Sequence, residues 1–329
     1  MTAIKSRFSR KSRKPSFGRI VWMQRTLLLM SIPFLLYRLL FSYVPLIGWA
    51  IAFQDFRPRI GVTPLQSLRT NEFIGLDNFR VLLDTDTVLG ARFVQSIINT
   101  FGQALLTQIV GFICAIVLSL MLNEVRQNGI KKVIQNILYL PHFLSWVIVA
   151  SLASVALALP ASGGIINEFL LWTRIISEPI HFLANPSYFW GIVAGTHLWR
   201  NLGWNTIIYL AAMTAVDPSL YEAASIDGAS RYRKMWHITL SSIKPTIVIL
   251  MIMNVGWLLT SGFEIQWFLG HGVNIPRSEN IDIFIFRYGI QMGNFGLATA
   301  SGILRTGISI TLLSIVNFIA GRLGSEKLF

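Results

Sequence analysis

Long apolar runs separated by short charged segments set the pattern of this chain. Phe93 to Asn123 contains no charged residue, and neither does Val133 to Asn167. A helix needs roughly 20 apolar residues to cross a bilayer core, and no soluble fold needs two such runs. The pattern predicts spans at about 24–52, 94–122, 132–159, 187–214, 244–268 and 299–321. The expected fold class is therefore all-α, a polytopic membrane protein with about six transmembrane helices. The loop 53–93 between the first two spans holds Pro58, Gly61, Pro64 and Gly75. Within it Phe79, Leu82 and Leu83 share one helical face, which predicts a short amphipathic helix on the membrane or on a partner. Pro33, Pro45 and Pro141 fall where kinks are tolerated if neighbours satisfy the freed backbone. Gly293, Gly296, Gly302 and Gly307 predict close packing around the last span.

Charge orients the pattern. Only 13% of the residues are charged, against about a quarter in a soluble domain. The net charge of +13 is uneven: residues 1–25 carry eight Lys/Arg and no acid. Beside a span, such a tail reads as a topology signal, so both termini are expected in the cytoplasm. No folded reader domain accompanies it, which argues against nucleic acid. Ala50-Ile51-Ala52 resembles a signal cleavage site, but the apolar segment Thr26 to Phe53 is far longer than a signal core of about 7–15 residues. Cys114 is the one cysteine, and no HExxH, CxxC or GxxxxGK[ST] pattern occurs. Neither a metal site, a catalytic constellation nor a cofactor is expected in this chain. A transporter or channel remains the natural class; paired broken helices in two halves, the mark of many secondary transporters, are not evident.

One polar loop is more than a connection. In 215–245, Asp217 is a plausible N-cap, Pro218 suits the first helical position, and Glu222 sits where its charge favours the helix dipole. Ala223 and Ala224 leave a bare surface, Gly228 interrupts the helix, and a second basic, aromatic helix follows through Trp236. The residues alone allow two readings: a docking knob on the cytoplasmic side, or an interfacial helix lying on the bilayer.

Glu222-Ala223-Ala224, then Gly228, Ile238 and Leu240, resemble the EAA loop of ABC importer permeases. Ser241 stands where that pattern has proline, and Pro245 follows shortly. Ile226-Asp227-Gly228-Ala229 is similar to the carbohydrate-importing branch. So are Tyr43-Val44-Pro45-Leu46, Phe73 to Phe79, and Ala298 to Gly302. The resemblance implies a type I permease fold, with a basic cytoplasmic tail at 1–23, a permease domain at 24–321 and a short cytoplasmic C-terminus at 322–329. It implies a multi-pass protein of the bacterial inner membrane that pairs with a second, homologous permease subunit. Two ATPase subunits, which bind ATP and magnesium, would each receive a coupling helix. An extracytoplasmic solute-binding protein would deliver an oligosaccharide. On this resemblance Glu222, Ala223, Ala224, Asp227 and Gly228 transmit force to alternating access and catalyse nothing.

Polar and aromatic residues at membrane depth supply candidates for the substrate pathway. The fourth span holds Trp199, Arg200, Asn201, Trp204 and Asn205; the fifth holds Asn254, Trp257 and Glu264. Each Trp could equally anchor at an interface, and each Asn could join two helices. Arg38 and Arg305 read as structural. Arg200 is expected to favour an anionic sugar such as a uronate oligomer.

Overall fold

The computed structural model describes residues 18, 22–58, 61–256 and 262–322. Most of the basic tail, Trp257, and the C-terminus beyond Arg322 lie outside the described residues. Among the described residues every regular element is a helix, with no strand and a single isolated bridge between Gln54 and Phe73.

The chain forms two compact units, Met1–Ala50 and Ile51–Phe329. The first carries α1 (Arg25–Arg38), followed by a π-helical turn, Leu39–Tyr43. Neither element buries a residue. Leu27, Phe34 and Leu35 are exposed on α1, and an apolar helix with no polar face is one that meets lipid or another apolar surface.

The second unit is built around α4 (Val88–Asn123) and α8 (Phe189–Thr214), which pack along each other. Before α4 come α2 (Pro64–Thr70), capped by Thr63 and Gln66 in a reciprocal box, and α3 (Asp77–Leu83). The expected amphipathic helix is α3. It packs on the chain itself, with Leu82 fully buried beside Phe93, Phe284 and Leu297, and Leu83 left outside. Gly296 permits this junction, because a Cβ there would lie 2.7 Å from Asn78 Nδ2 and 2.8 Å from the Gln54 carbonyl. Gly293, Gly302 and Gly307 have open space around them, so among the described residues the close packing expected there is not made.

The third predicted span, 132–159, is not one helix. It is α5 (Asn128–Tyr139) with a 3-10 turn to Phe143, then α6 (Trp146–Ala156), and the two parts meet at 103°. Pro141 lacks the amide that would continue the ladder, and Ser145 caps the new helix by accepting from the Ile148 amide. After α6, a short α7 (Ile165–Trp172) leads to α8. Asn167 holds this connection, donating to the Ala158 and Ile180 carbonyls and accepting from the Ile180 amide.

Beyond α8 lie α9 (Pro218–Ile226), α10 (Arg231–Lys234), a π-helical turn Met235–Thr239, and α11 (Lys244–Gly256). The helices on either side of Ile243 are bent by 57°. Pro245, in the first turn of α11, accounts for that break, which answers the missing proline at Ser241. The chain ends its described course with α12 (Glu264–Leu269), α13 (Ile275–Ser278), α14 (Ile281–Phe284) and α15 (Phe295–Arg322). Ion pairs Arg287–Glu279 and Arg305–Asp282 lace this last region, so Arg305 is structural as expected.

Among the described residues three helices are long and apolar enough to cross a membrane, Arg25–Phe53, Val88–Asn123 and Phe295–Phe318; the count is five if each of the two bent pairs is one span. The expected six include α8, which is long enough at 26 residues. Its His197, Arg200, Asn201 and Asn205 dilute its apolar character.

Candidate functional site

Two features of the second unit concern function: the exposed helix α9 and a polar cavity between α4 and α8. The Asp217 side chain accepts from the Ser219 amide at 2.9 Å and caps α9. That hydrogen bond holds the Asp217 carboxyl below the usual carboxylate range. The cap is therefore present at neutral pH and is lost as pH falls through the lowered value. At the other end the Ala229 amide donates to the Ala224 carbonyl (2.9 Å) and the Gly228 amide to the Ser225 carbonyl (3.2 Å). This paired closure requires a left-handed residue after the cap, and Gly228 supplies it at φ +72°. The spacing from the two alanines to the glycine is thus the geometry of a helix end.

The surface so made is bare. Glu222, Ala223, Asp227 and Gly228 are exposed and Ala224 is half-buried. Ile226, at 87% exposure, and Leu220 add apolar area. On α9 these two side chains are left uncovered by the rest of the described chain.

The cavity measures about 250 Å³. Thr107, Gln108, Gly111, Phe112 and Ala115 line it from α4, His197, Asn201, Asn205 and Tyr209 from α8, and Leu250 and Asn254 from α11. No Asp, Glu, Lys or Arg belongs to the lining. Of the predicted pathway residues, Asn201, Asn205 and Asn254 meet here. Gln108 and His197 join them; Gln108 is one of several amides in the uncharged run of α4, with Gln95, Asn99 and Gln103, so the sequence did not single it out. Among the described residues the side chains of Gln108, Asn205 and Asn254 make no hydrogen bond of their own. They are left free to bind something else.

Trp199, Arg200, Trp204 and Glu264 do not line the cavity, and Trp257 lies outside the described residues. Arg200 instead closes the break between α5 and α6. Its Nε donates to the Leu144 carbonyl (3.0 Å), its Nη1 donates to Asn201 Oδ1 (3.1 Å), and its guanidinium lies over the Trp146 ring at 4.2 Å. Asn201 also meets His142 Nδ1 at 3.2 Å, and His142 stacks flat on Trp204 with centroids 4.5 Å apart. The carbonyl that the 103° bend frees is satisfied by a cation from a neighbouring helix. Arg200 and Trp204 therefore support the bend, and neither joins the lining of the cavity.

Comparison with known proteins places these features in a family. Residues 108–325 match the family described as "Binding-protein-dependent transport system inner membrane component". The chain is 39% identical to the polygalacturonan/rhamnogalacturonan transport system permease protein YteP of Bacillus subtilis, covering 98% of this chain and 95% of the relative. It is 35% identical to the protein LplB of the same organism, covering 94% of each. A crystal structure of a bacterial ABC transporter involved in the import of the acidic polysaccharide alginate superposes with TM-score 0.80 at 32% identity. That match covers 94% of this chain and 99% of the other. The same holds for a bacterial alginate ABC transporter in complex with an alginate pentasaccharide-bound periplasmic protein, at TM-score 0.82 and 31% identity, covering 95% and 100%. The chain belongs to the family of inner-membrane permease components of binding-protein-dependent transport systems.

Proposed function

We propose that this chain is one half of the translocation pathway of an ATP-driven importer for a uronate-containing oligosaccharide. The observation that carries the reading is the pairing of an exposed, capped helix α9 with a cavity lined by unpartnered amides in the same compact unit. The relatives that handle polygalacturonan, rhamnogalacturonan and alginate support the substrate class. A second homologous permease completes the pathway. Two ATPase subunits each dock a coupling helix and bind ATP and magnesium, and this chain holds no cofactor. A solute-binding protein presents the sugar from outside. Both termini face the cytoplasm, in keeping with the basic tail. Glu222, Ala223, Ala224, Asp227 and Gly228 form the ATPase-facing surface, and Gln108, Asn205 and Asn254 offer hydrogen bonds to sugar hydroxyls.

Reconstitution tests the reading. Vesicles holding the two permeases and the ATPase, with the binding protein outside, are expected to accumulate galacturonate oligomers only when ATP is present inside. Accumulation by this chain alone, without an ATPase, refutes it. Asn205→Ala and Asn254→Ala are each expected to lower uptake about fivefold, the worth of one net hydrogen bond, with unchanged thermal stability of the complex. Wild-type uptake by both variants would remove the cavity from the pathway.

A further inference from the structure

Two side-chain hydrogen bonds join α9 to the segment that follows it. One, from Lys234 Nζ to Ser225 Oγ, is exposed. The other runs between the Tyr221 and Thr239 hydroxyls at 2.9 Å, and Thr239 is buried at 1% exposure. A solvent-facing helix thus has one polar tie into the interior, where a hydrogen bond is shielded from competing water.

The place it reaches is one of three π-helical segments among the described residues, with Leu39–Tyr43 and Ile285–Gln291. Thr239 closes the π-helical turn Met235–Thr239. A π turn packs one residue more than an α turn needs, is rarely longer than a single turn, and concentrates at functional sites. Its surplus residue lets a helix change register without breaking. The Thr239 carbonyl then accepts from the Ile243 amide at 3.2 Å. Ile243 is buried in an apolar cluster with Tyr209 and Ala115, and Met235 and Leu240 from the same segment pack against that cluster. Tyr209 and Ala115, with Phe112 and Leu250 of the same cluster, also line the cavity. A continuous set of contacts therefore joins α9 to the cavity wall.

We propose that the Tyr221–Thr239 hydroxyl contact is the joint that carries displacement of α9 into the cavity wall, with the π-helical turn as the element that yields. This rests on α9 being the ATPase-coupling helix. Close-packed clusters respond to a push by switching between arrangements, not by deforming smoothly. The π turn supplies two arrangements, since shedding its surplus residue restores α-helical bonding. Tyr221 is on this reading a positioning residue: it touches neither sugar nor nucleotide.

The test measures sugar imported per ATP hydrolysed, in vesicles holding the complete importer and trigalacturonate as probe. Tyr221→Phe removes one oxygen and is expected to lower that ratio about fivefold, the worth of one net hydrogen bond. Thr239→Val is expected to match it, and Thr239→Ser, which keeps the hydroxyl, to hold the wild-type ratio. The double variant Tyr221→Phe/Thr239→Val is expected to be no worse than either single one, because both remove the same contact. A wild-type ratio in Tyr221→Phe, losses that multiply in the double variant, or a Thr239→Ser variant as impaired as Val each overturns the joint. Wild-type vesicles separate this from the coupling reading itself: uptake there that does not depend on ATP sinks the reading, whatever the variants do.

Discussion

Replacing Gly228 with glutamate is expected to reduce ATP-driven uptake at least tenfold while the chain still inserts and folds. The backbone argument comes first. Gly228 sits at φ +72° and ends α9. Any other L-residue there costs roughly 1–2 kcal/mol, with asparagine the least affected. Space is no obstacle, because a Cβ at this position meets nothing within 4 Å. Alanine and glutamate therefore carry about the same strain within this chain. What separates them is a covered surface: a carboxylate buried without a partner costs several kcal/mol more, and each 1.4 kcal/mol is about tenfold. The expected order of uptake is Gly, Asn, Ala and then, well below, Glu. Co-purification of the ATPase should follow the same order. Equal uptake by the Ala and Glu variants would mean that nothing docks over Gly228.

A second large effect is expected at Arg200. Arg200→Ala leaves the Leu144 carbonyl without its donor, at about 1–3 kcal/mol. It also removes a cation–π contact with Trp146 worth about 0.5–2 kcal/mol. Lysine is not expected to rescue it, since one ammonium cannot lie flat on an indole and donate in two fixed directions. The complex should melt at lower temperature and uptake should fall about tenfold or more, since the loss of roughly 2 kcal/mol or more loosens the bend beside the cavity. The ratio of uronate to neutral oligosaccharide uptake should not change. Loss of uronate uptake alone, with neutral uptake and melting temperature intact, would restore Arg200 as a reader of carboxylates.

These two sites show where sequence was informative. The helix at 217–228 was legible because its chemistry is local: a cap, an alanine pair and a glycine lie within twelve residues and dictate a helix end without reference to anything else. The spans were legible because apolar length is a local property too. The place of Arg200 at the bend was not legible because its partner, Leu144, is a backbone carbonyl 56 residues away, and carbonyls carry no sequence signal. Treating 132–159 as one span concealed the bend that frees that carbonyl, although Pro141 followed by Ser145 is a stop and a cap in sequence. Asn201, Asn205 and Asn254 line one cavity, yet only packing could show that Asn201 also serves the bend while the other two make no hydrogen bond among the described residues. The π-helical turn 235–239 had no signal at all, since its residues favour an ordinary helix as well.

The bend between α5 and α6 also orders events during synthesis. An insertion machinery that senses apolar length meets residues 133–159 as one segment without Asp, Glu, Lys or Arg. Leu144 leaves the ribosome 56 residues before Arg200 does. At roughly 5–20 residues per second, the interval is about 3–11 seconds. Throughout it the guanidinium that satisfies the freed carbonyl does not yet exist, and an unsatisfied carbonyl in hydrocarbon costs several kcal/mol. The bend therefore has its donor only once α8 has been made, so its final geometry depends on a helix that follows it in the chain.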